Sequence, residues 1–122
     1  MEFKLYRCSH CGNVAFKLVN SGVPMVCCGE PMTELVPNTT DASVEKHVPV
    51  ITRDGDQITV QVGSVIHPML ENHFIQAIAA VSGETVTIGL LKPGEAPVLK
   101  TAAADAVTAY SLCNLHGLWK GV

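Results

Sequence analysis

Residues 57–62 read Gln-Ile-Thr-Val-Gln-Val, so polar and apolar side chains alternate along the segment. Successive side chains of a strand point to opposite faces of a sheet, so this alternation is typical of a strand with one buried face. Asp54 and Gly55 form a hairpin turn signal just before it, and the β-rich residues 48–52 precede that turn. The stretch therefore predicts a β-hairpin and favours an all-β fold around it.

Similar strand-like segments follow toward the C-terminus. They are separated by turn signals at Ser82-Gly83 and Lys92-Pro93-Gly94, and they cover residues 74–81, 85–88, 98–101 and 107–112. Short strands at intervals of roughly 8–12 residues are typical of an antiparallel sandwich or barrel. Residues 102–104 are three alanines that are compatible with a short helical turn.

The composition excludes several classes of protein. Hydrophobic residues make up 48% of the 122 residues and charged residues 16%, which is typical of a globular chain rather than a disordered one. The formal net charge of −3 argues against a nucleic-acid partner. No apolar run approaches the ~20 residues of a membrane span, and the first residues lack the apolar core of a secretory signal. We therefore expect a cytoplasmic protein without a membrane segment, in which cysteines stay reduced.

The cysteines divide the chain into two parts. Four of the five lie in residues 1–37, whereas four of the five histidines lie in residues 38–122. The loop-like run Val36-Pro37-Asn38-Thr39-Thr40-Asp41 marks the boundary between them. A part of fewer than ~40 residues needs a metal or disulfides to fold, because it buries too little surface alone. We expect a small metal-bound domain followed by a β-sandwich.

The four N-terminal cysteines form the first candidate metal site. Cys8 and Cys11 belong to a C-x-x-C-G knuckle, and Cys27 and Cys28 are adjacent. Four thiolates make a soft tetrahedral site that suits zinc or iron, and the adjacent pair predicts a distorted tetrahedron. A structural zinc site and iron remain equal alternatives, and a Cys27–Cys28 disulfide is a minor one. His10 is expected to face solvent rather than to bind the ion.

The remaining cysteine and four histidines form the second candidate site. Every one of them lies at a predicted strand end or in a loop, where binding residues concentrate on a rigid scaffold: His47, His67, His73, Cys113 and His116. Taken singly, each histidine is more often a surface or hydrogen-bonded residue, and a single buried cysteine more often serves packing. The joint pattern predicts a second metal site if the five side chains converge.

At these residues the chain closely resembles desulfoferrodoxin, the two-iron class of superoxide reductases. The resemblance covers nearly the whole chain, in the family's order and spacing, and rests on the motifs C-S-H-C-G, V-C-C-G-E-P-M, E-K-H-V-P-V, V-G-S-V-I-H-P-M, E-N-H-F-I, L-K-P-G-E-A-P and C-N-L-H-G-L-W-K. One departure is Phe74, where tryptophan is expected after the third histidine. Phenylalanine keeps an apolar ring there and puts no ligand in doubt.

The resemblance implies the fold and the ligands of two iron ions per chain. A desulforedoxin-like domain of residues 1–37 would hold the first iron, or zinc, through Cys8, Cys11, Cys27 and Cys28. An immunoglobulin-like antiparallel β-sandwich of residues 38–122 would hold the second, with Cys113 as axial ligand and four equatorial histidines: His47, His67, His73 and His116. The family further implies a homodimer and a rubredoxin-like electron donor.

The implied activity is one-electron reduction of superoxide to hydrogen peroxide at the second iron, as a defence against oxidative stress. Lys46, beside His47, is the candidate for attracting superoxide and positioning a proton-donating water. Glu45 is a hard carboxylate that could occupy the open position of the oxidised ion. Without the resemblance, Glu45 and Lys46 would be read as an ordinary solvated charge pair.

Two other functions remain as alternatives at this point. One is superoxide dismutase activity, which releases oxygen as well as peroxide. The other is a non-catalytic protein, either a metal-binding module or an electron carrier that uses only the N-terminal metal. Whether the four-cysteine metal relays electrons or only stabilises its domain is also open, although a domain of this size needs the metal to fold.

Overall fold

The computed structural model describes residues 2–122, which form two compact units that divide between Val36 and Pro37. The first unit contains only short strands. Its sheets have the orders β2-β1-β5 and β3-β4, and its strands are β1 (Leu5–Arg7), β2 (Val14–Phe16), β3 (Val26–Cys27), β4 (Glu30–Pro31) and β5 (Thr33–Glu34).

Both cysteine pairs of the first unit lie at tight turns. Gly12 follows the first pair with φ of 81°, and Gly29 follows the second with φ of 79°. Cys28 itself adopts φ of 53°, a left-handed conformation that is uncommon for a residue with a side chain. These turns bring the two pairs of sulfurs together, as described below.

The second unit is a sandwich of two antiparallel sheets. One sheet has the order β10-β7-β6 and the other β12-β11-β8-β9. A single helical turn, α1 (Val44–His47), precedes the strands, which are β6 (Pro49–Asp54), β7 (Gln57–Val62), β8 (Ile75–Ser82), β9 (Thr85–Leu90), β10 (Val98–Ala102), β11 (Thr108–Cys113) and β12 (Gly117–Gly121).

The core of the sandwich lies between the two sheets, and β7 contributes alternate side chains to it. In β7 these are the apolar members of the alternating stretch, namely Ile58, Val60 and Val62, which are at most 1% exposed. They pack against buried side chains of β8 and β11 on the opposite sheet, among them Ile75, Ile78, Ala109 and Cys113. The burial of one complete face of β7 fixes its pairing register, because a slip of one residue would expose that face.

The structure confirms the all-β prediction, including the hairpin at residues 54–57. Asp54 pairs with Gln57 there, and Gly55 has φ of 59°. No helix among residues 2–122 has the length and apolar character needed to cross a bilayer.

Three local expectations were wrong. The motif E-K-H-V-P at residues 45–49 was expected to open the first strand of the sandwich, but Val44–His47 is a helical turn in which Val48 N–H donates to Val44 O at 3.0 Å. The alanines at 102–104 form no helical turn, because Ala102 ends β10 and Ala103 N–H bonds to Asp56 O at 2.8 Å. Finally, residues 107–112 were expected to form the last strand, but a twelfth strand, Gly117–Gly121, follows it.

Candidate metal centres

The five predicted ligands of the second unit come from five separate places in the chain that meet at one end of the sandwich. Each lies at an element end or in a connection: His47 ends α1, His67 follows β7, His73 precedes β8, Cys113 ends β11, and His116 lies in the turn before β12. His47, His67 and Cys113 are at most 2% exposed, whereas His73 and His116 are half-buried.

The four imidazoles form a square. Going round it, the ring centroids are 4.7 Å apart for His47–His67, 4.7 Å for His67–His73, 5.0 Å for His73–His116 and 4.9 Å for His116–His47. Each neighbouring pair is nearly perpendicular, with interplanar angles from 74° to 87°. The diagonal pair His47–His73 is 6.4 Å apart and close to parallel. Four ring nitrogens can therefore face one central point in a plane.

Cys113 lies on the axis of that square rather than in its plane. Its Sγ is 3.6 Å from His67 Nε2 and 3.9 Å from His116 Nδ1, which belong to opposite corners. Because Cys113 is completely buried and belongs to the sandwich core, its sulfur occupies the interior side of the square. The thiol thus lies on the inner face of the square. None of the five predicted ligands lies on its outer face.

The ring nitrogens of two histidines are oriented by backbone carbonyls. His47 Nδ1 lies 2.6 Å from Ser43 O, and His67 Nδ1 lies 2.6 Å from Pro68 O. A carbonyl only accepts hydrogen bonds, so Nδ1 carries the proton in both rings and Nε2 presents its lone pair to the centre. His116 is the exception, because its Nδ1 faces the centre, 3.1 Å from His47 Nε2.

The donor set fits a metal ion. His73 Nε2 is buried and has no hydrogen-bond partner among residues 2–122, which is costly unless that nitrogen binds an ion. Ligand nitrogens about 2.1 Å from one ion, at right angles, would be roughly 3 Å apart. The 3.2 Å between His47 Nε2 and His67 Nε2 and the 3.1 Å between His47 Nε2 and His116 Nδ1 are close to that separation.

The electrostatics of the centre favour neutral imidazoles. Burial is the main cause that lowers the pKa of His67, to about 4, and it also lowers the pKa values of His47 and His73. Positive charge on neighbouring groups lowers them further: His47, His73 and His116 act on His67, and Lys46 acts on His47 and His73. Neutral rings are the form that binds a metal, so the site is prepared for a cation rather than for protons.

Two buried side chains from the sandwich support His47. The Trp119 ring stacks on the His47 ring at 4.8 Å and 26°, and its Nε1–H donates to His116 O at 3.0 Å. The Ser111 hydroxyl donates to His47 O at 2.6 Å. Ser111 is not among the residues predicted from the sequence, where its place two residues before Cys113 is the available signal.

Glu45 and Lys46 are exposed on the helical turn that carries His47. The Ser43 hydroxyl donates to the Glu45 carboxylate at 2.7 Å and, together with backbone N–H of the turn, lowers its pKa. Gly63 packs against the backbone of this turn so closely that a Cβ there would be 2.6 Å from Glu45 O and 3.0 Å from Lys46 C. The turn is thus held in place while both side chains remain accessible.

The four N-terminal cysteines also converge. Their sulfurs lie within 4.8 Å of one another, with Cys11 and Cys27 at 3.6 Å. Backbone N–H groups of Cys11 and His10 lower the pKa of Cys8 to about 6, whereas thiol contacts with Cys8 and Cys11 raise the pKa of Cys28 to about 12. Cys8 therefore favours the thiolate while Cys28 keeps its proton, and a bound cation would replace that proton. None of the five cysteines forms a disulfide, and His10 is exposed.

Comparison with known proteins gives one consistent result. Family models described as "Desulfoferrodoxin, N-terminal domain" and "Desulfoferrodoxin" match residues 1–35 and 39–122. The chain is 45% identical to desulfoferrodoxin from Nitratidesulfovibrio vulgaris over 120 residues, which covers 98% of this chain and 95% of that protein.

Solved structures agree with these matches. The superoxide reductase from Treponema pallidum covers this chain fully and is itself fully covered, with a TM-score of 0.82 and 30% identity. A superoxide reductase described as 1Fe-SOR from Giardia intestinalis matches 63% of this chain and 95% of its own, with a TM-score of 0.55 and 28% identity. On the sequence matches, which span both units, the chain belongs to the desulfoferrodoxin family.

Proposed function

We propose that this protein is a superoxide reductase, which reduces superoxide to hydrogen peroxide at an iron ion held by His47, His67, His73, Cys113 and His116. The observation that carries the proposal is the square of four imidazoles with a buried thiol on its axis. This donor set leaves one face for a small ligand. The family and the names of the structural relatives support the same activity.

The charge of the donor set favours an anionic substrate. Iron supplies the single electron that, with two protons, converts superoxide to hydrogen peroxide. Four neutral imidazoles and one thiolate contribute one negative charge, so a divalent ion bound there keeps a net positive charge. Cys113 fills the buried side, so the substrate approaches from the side where His73 and His116 are half-exposed.

Lys46 and Glu45 act on the substrate side in this proposal. The Lys46 ammonium is exposed yet influences the pKa values of His47 and His73, so its charge lies near the centre. It would attract superoxide locally and hold a proton-donating water, since the net charge of −3 offers no global attraction. Glu45 would occupy the open face after oxidation, which requires its carboxylate to leave the Ser43 hydroxyl.

For the first unit we propose an iron bound by Cys8, Cys11, Cys27 and Cys28, with zinc as a compatible alternative. This iron would pass electrons from a rubredoxin-like donor without being essential for the reaction. The 1–37 and 38–122 segments would then be a relay domain and a catalytic domain. We further propose that the protein is a cytoplasmic homodimer.

Stoichiometry tests the proposal directly. The full-length chain is loaded with iron without oxygen, given a chemical reductant and exposed to pulses of superoxide. We expect one electron consumed and one peroxide formed per superoxide, with no oxygen released. Oxygen release would support a dismutase, and two zinc ions in a colourless purified protein would overturn the proposal.

Two cysteine variants locate the activity. In Cys113→Ser we expect loss of the thiolate-to-iron absorption band and of superoxide reduction, because the axial sulfur is removed. The matched control is Cys11→Ser, which removes an exposed sulfur of the other cluster and should keep superoxide reduction. Full activity in Cys113→Ser would contradict the assignment and favour a carrier that uses only the first metal.

A further inference from the structure

Asn114 lies between two of the proposed iron ligands in sequence, Cys113 and His116, yet its side chain contacts the segment that carries a third. We propose that Asn114 is a positioning residue that holds the His73 segment against the Cys113 turn and thereby keeps the iron bound. The inference rests on the proposed function, because it takes His73 as a ligand of that iron.

Three hydrogen bonds join Asn114 to the two neighbours of His73. Its main-chain N–H donates to Phe74 O at 3.2 Å. Its side-chain Oδ1 accepts from Phe74 N–H at 2.9 Å, and its Nδ2 donates to Asn72 O at 3.1 Å. The side-chain amide therefore acts as an extra peptide group, with one bond on each side of His73.

These bonds replace the regular sheet where it ends. The pairing of β11 with β8 shifts register between Leu112 and Cys113, and its last pair is Cys113 with Ile75. Beyond that pair the two segments are no longer joined by regular sheet hydrogen bonds, although His73 and His116 must still face the same point. Asn114 supplies the missing cross-connection with its side chain.

The His73 segment needs such a connection more than those of His47 and His67. The rings of those two histidines are oriented directly by Ser43 O and Pro68 O. His73 is held through its backbone, by a tight bridge with Leu70 and by the bonds of Asn114 on either side. Among the described residues its Nε2 has no hydrogen-bond partner, so the position of the segment decides whether that nitrogen faces the centre.

The chain offers a matched control in Asn38. Its N–H donates to Leu118 O at 3.0 Å, its Nδ2 donates to Lys120 O at 3.2 Å, and its Oδ1 accepts from Lys120 N–H at 2.9 Å. This is the same set of bonds, made to β12 rather than to a segment that carries a ligand. Asn38 also has φ of 61°, so Asn38→Ala is expected to lower stability at least as much as Asn114→Ala.

The test measures iron retention rather than activity. The full-length iron-loaded protein, Asn114→Ala and Asn38→Ala are each oxidised to the ferric form and mixed with excess ferric chelator, and iron loss is followed by the thiolate-to-iron band of the second site. We expect Asn114→Ala to lose the iron of the second site about 10-fold faster or more, the usual size of an effect on residues that orient metal ligands. Asn38→Ala should accelerate the loss clearly less than Asn114→Ala despite a lower Tm, because the bonds that it removes flank Trp119, which packs on His47, rather than a ligand itself.

Equal rates for wild type and Asn114→Ala, or equal acceleration in both variants, would overturn the proposal. If Asn114→Ala does not fold, amide hydrogen exchange in the zinc-loaded wild type decides. Slow exchange of the Phe74 N–H supports the bond to Asn114, and exchange as fast as that of an exposed loop contradicts it. Because no arm uses superoxide, failure of the proposed reaction would leave this result unaffected and distinguishable.

Discussion

The two metal centres of this protein are built in opposite ways. In the first unit, Cys11 and Cys28 are exposed. Among its described residues, 2–36, the longest strands have three residues, and the buried apolar side chains are few, namely Phe3, Leu5 and Cys8. In the second unit, His47, His67 and Cys113 are at most 2% exposed at the end of a closed sandwich core.

This difference indicates that the metal stabilises the fold in the first unit, whereas the fold positions the metal in the second. A unit with so little apolar burial depends on its metal for its fold, because the binding free energy is also folding free energy. A sandwich with a complete core folds around a preformed site, and that site can be specialised for chemistry. The predictions below test this contrast, beginning with the largest expected effect.

Removal of both metals should unfold the first unit and leave the second folded. Under a chelator that strips both centres, we expect amides of residues 5–34 to exchange rapidly with solvent. Amides of β8 and β11 should stay protected, because Cys113, at the end of β11, is the only proposed metal ligand in their ladder and core. Amide exchange measured by NMR checks this, and zinc added back is the control. Loss of protection in β8 would contradict the contrast.

The next largest effect is expected at Trp119, which packs on His47 and is 1% exposed. Trp119→Ala should destabilise the second unit by about 3–5 kcal/mol, as usual for a buried aromatic ring. Trp119→Phe keeps a ring over His47 and loses mainly the Nε1–H bond to His116 O, so we expect a cost of about 1 kcal/mol beyond the change in volume. Denaturant unfolding followed by circular dichroism measures the free energy of unfolding of both variants. An equal loss in Trp119→Ala and Trp119→Phe would show that the stacking on His47 contributes little.

The strands were predictable from the sequence because periodicity reports burial directly. The alternation of residues 57–62 required one buried face, and the structure buries Ile58, Val60 and Val62. The helical turn at Val44–His47 was not predictable in this way. Its four residues are too few to show a period, and contacts distant in sequence, such as the bond from Ser111 to His47 O, hold it.

The candidate ligands were also found from the sequence, since histidine and cysteine at strand ends are conspicuous chemical types. Their convergence was not derivable, because it depends on the order of strands in the two sheets and on the register shift before Cys113. Two of the residues that hold the ligands in place were missed altogether. Serine and asparagine, as in Ser111 and Asn114, are common in every fold and carry no signal until their partners are known.

Ser111 gives a third test of the second unit. Ser111→Ala leaves His47 O buried without that donor, so we expect a loss of about 1–3 kcal/mol in stability and weaker metal binding. The matched control is Ser64→Ala, whose hydroxyl donates to Glu45 O at 3.2 Å on the surface, where Val65 N–H also bonds that carbonyl. Ser64→Ala should change stability by less than about 0.5 kcal/mol. Thermal unfolding compares the pair, and equal effects would remove the special role of burial.

The buried histidines predict how the metal-free second unit responds to pH. The pKa of His67 is about 4 in the folded protein because of burial, and roughly 6.5 in an unfolded chain. Between these pH values His67 binds a proton in the unfolded chain but not in the native state. The free energy of unfolding therefore falls as pH decreases from about 6.5 to about 4. Above that window this histidine adds no pH dependence. Unfolding of the metal-free protein, followed by the fluorescence of its one tryptophan, should show a shallower fall in His67→Gln. An unchanged slope in His67→Gln would refute the assignment to His67.

The smallest effect is expected at Lys46, because an exposed charge acts on the substrate through solvent. Lys46→Ala should keep its metal and react with superoxide about 10-fold more slowly, with a weaker dependence on salt, since local attraction of the anion is lost. Lys100→Ala is the control, because it removes an exposed lysine from β10 in the middle of a strand rather than beside a ligand. Both variants are compared by the second-order rate constant at several ionic strengths.

An equal decrease in the two variants would mean that the overall charge, and not the position of Lys46 beside His47, draws superoxide to the site. An unchanged rate in Lys46→Ala would exclude the lysine from the reaction and leave the positive charge of the metal centre itself as the only attraction.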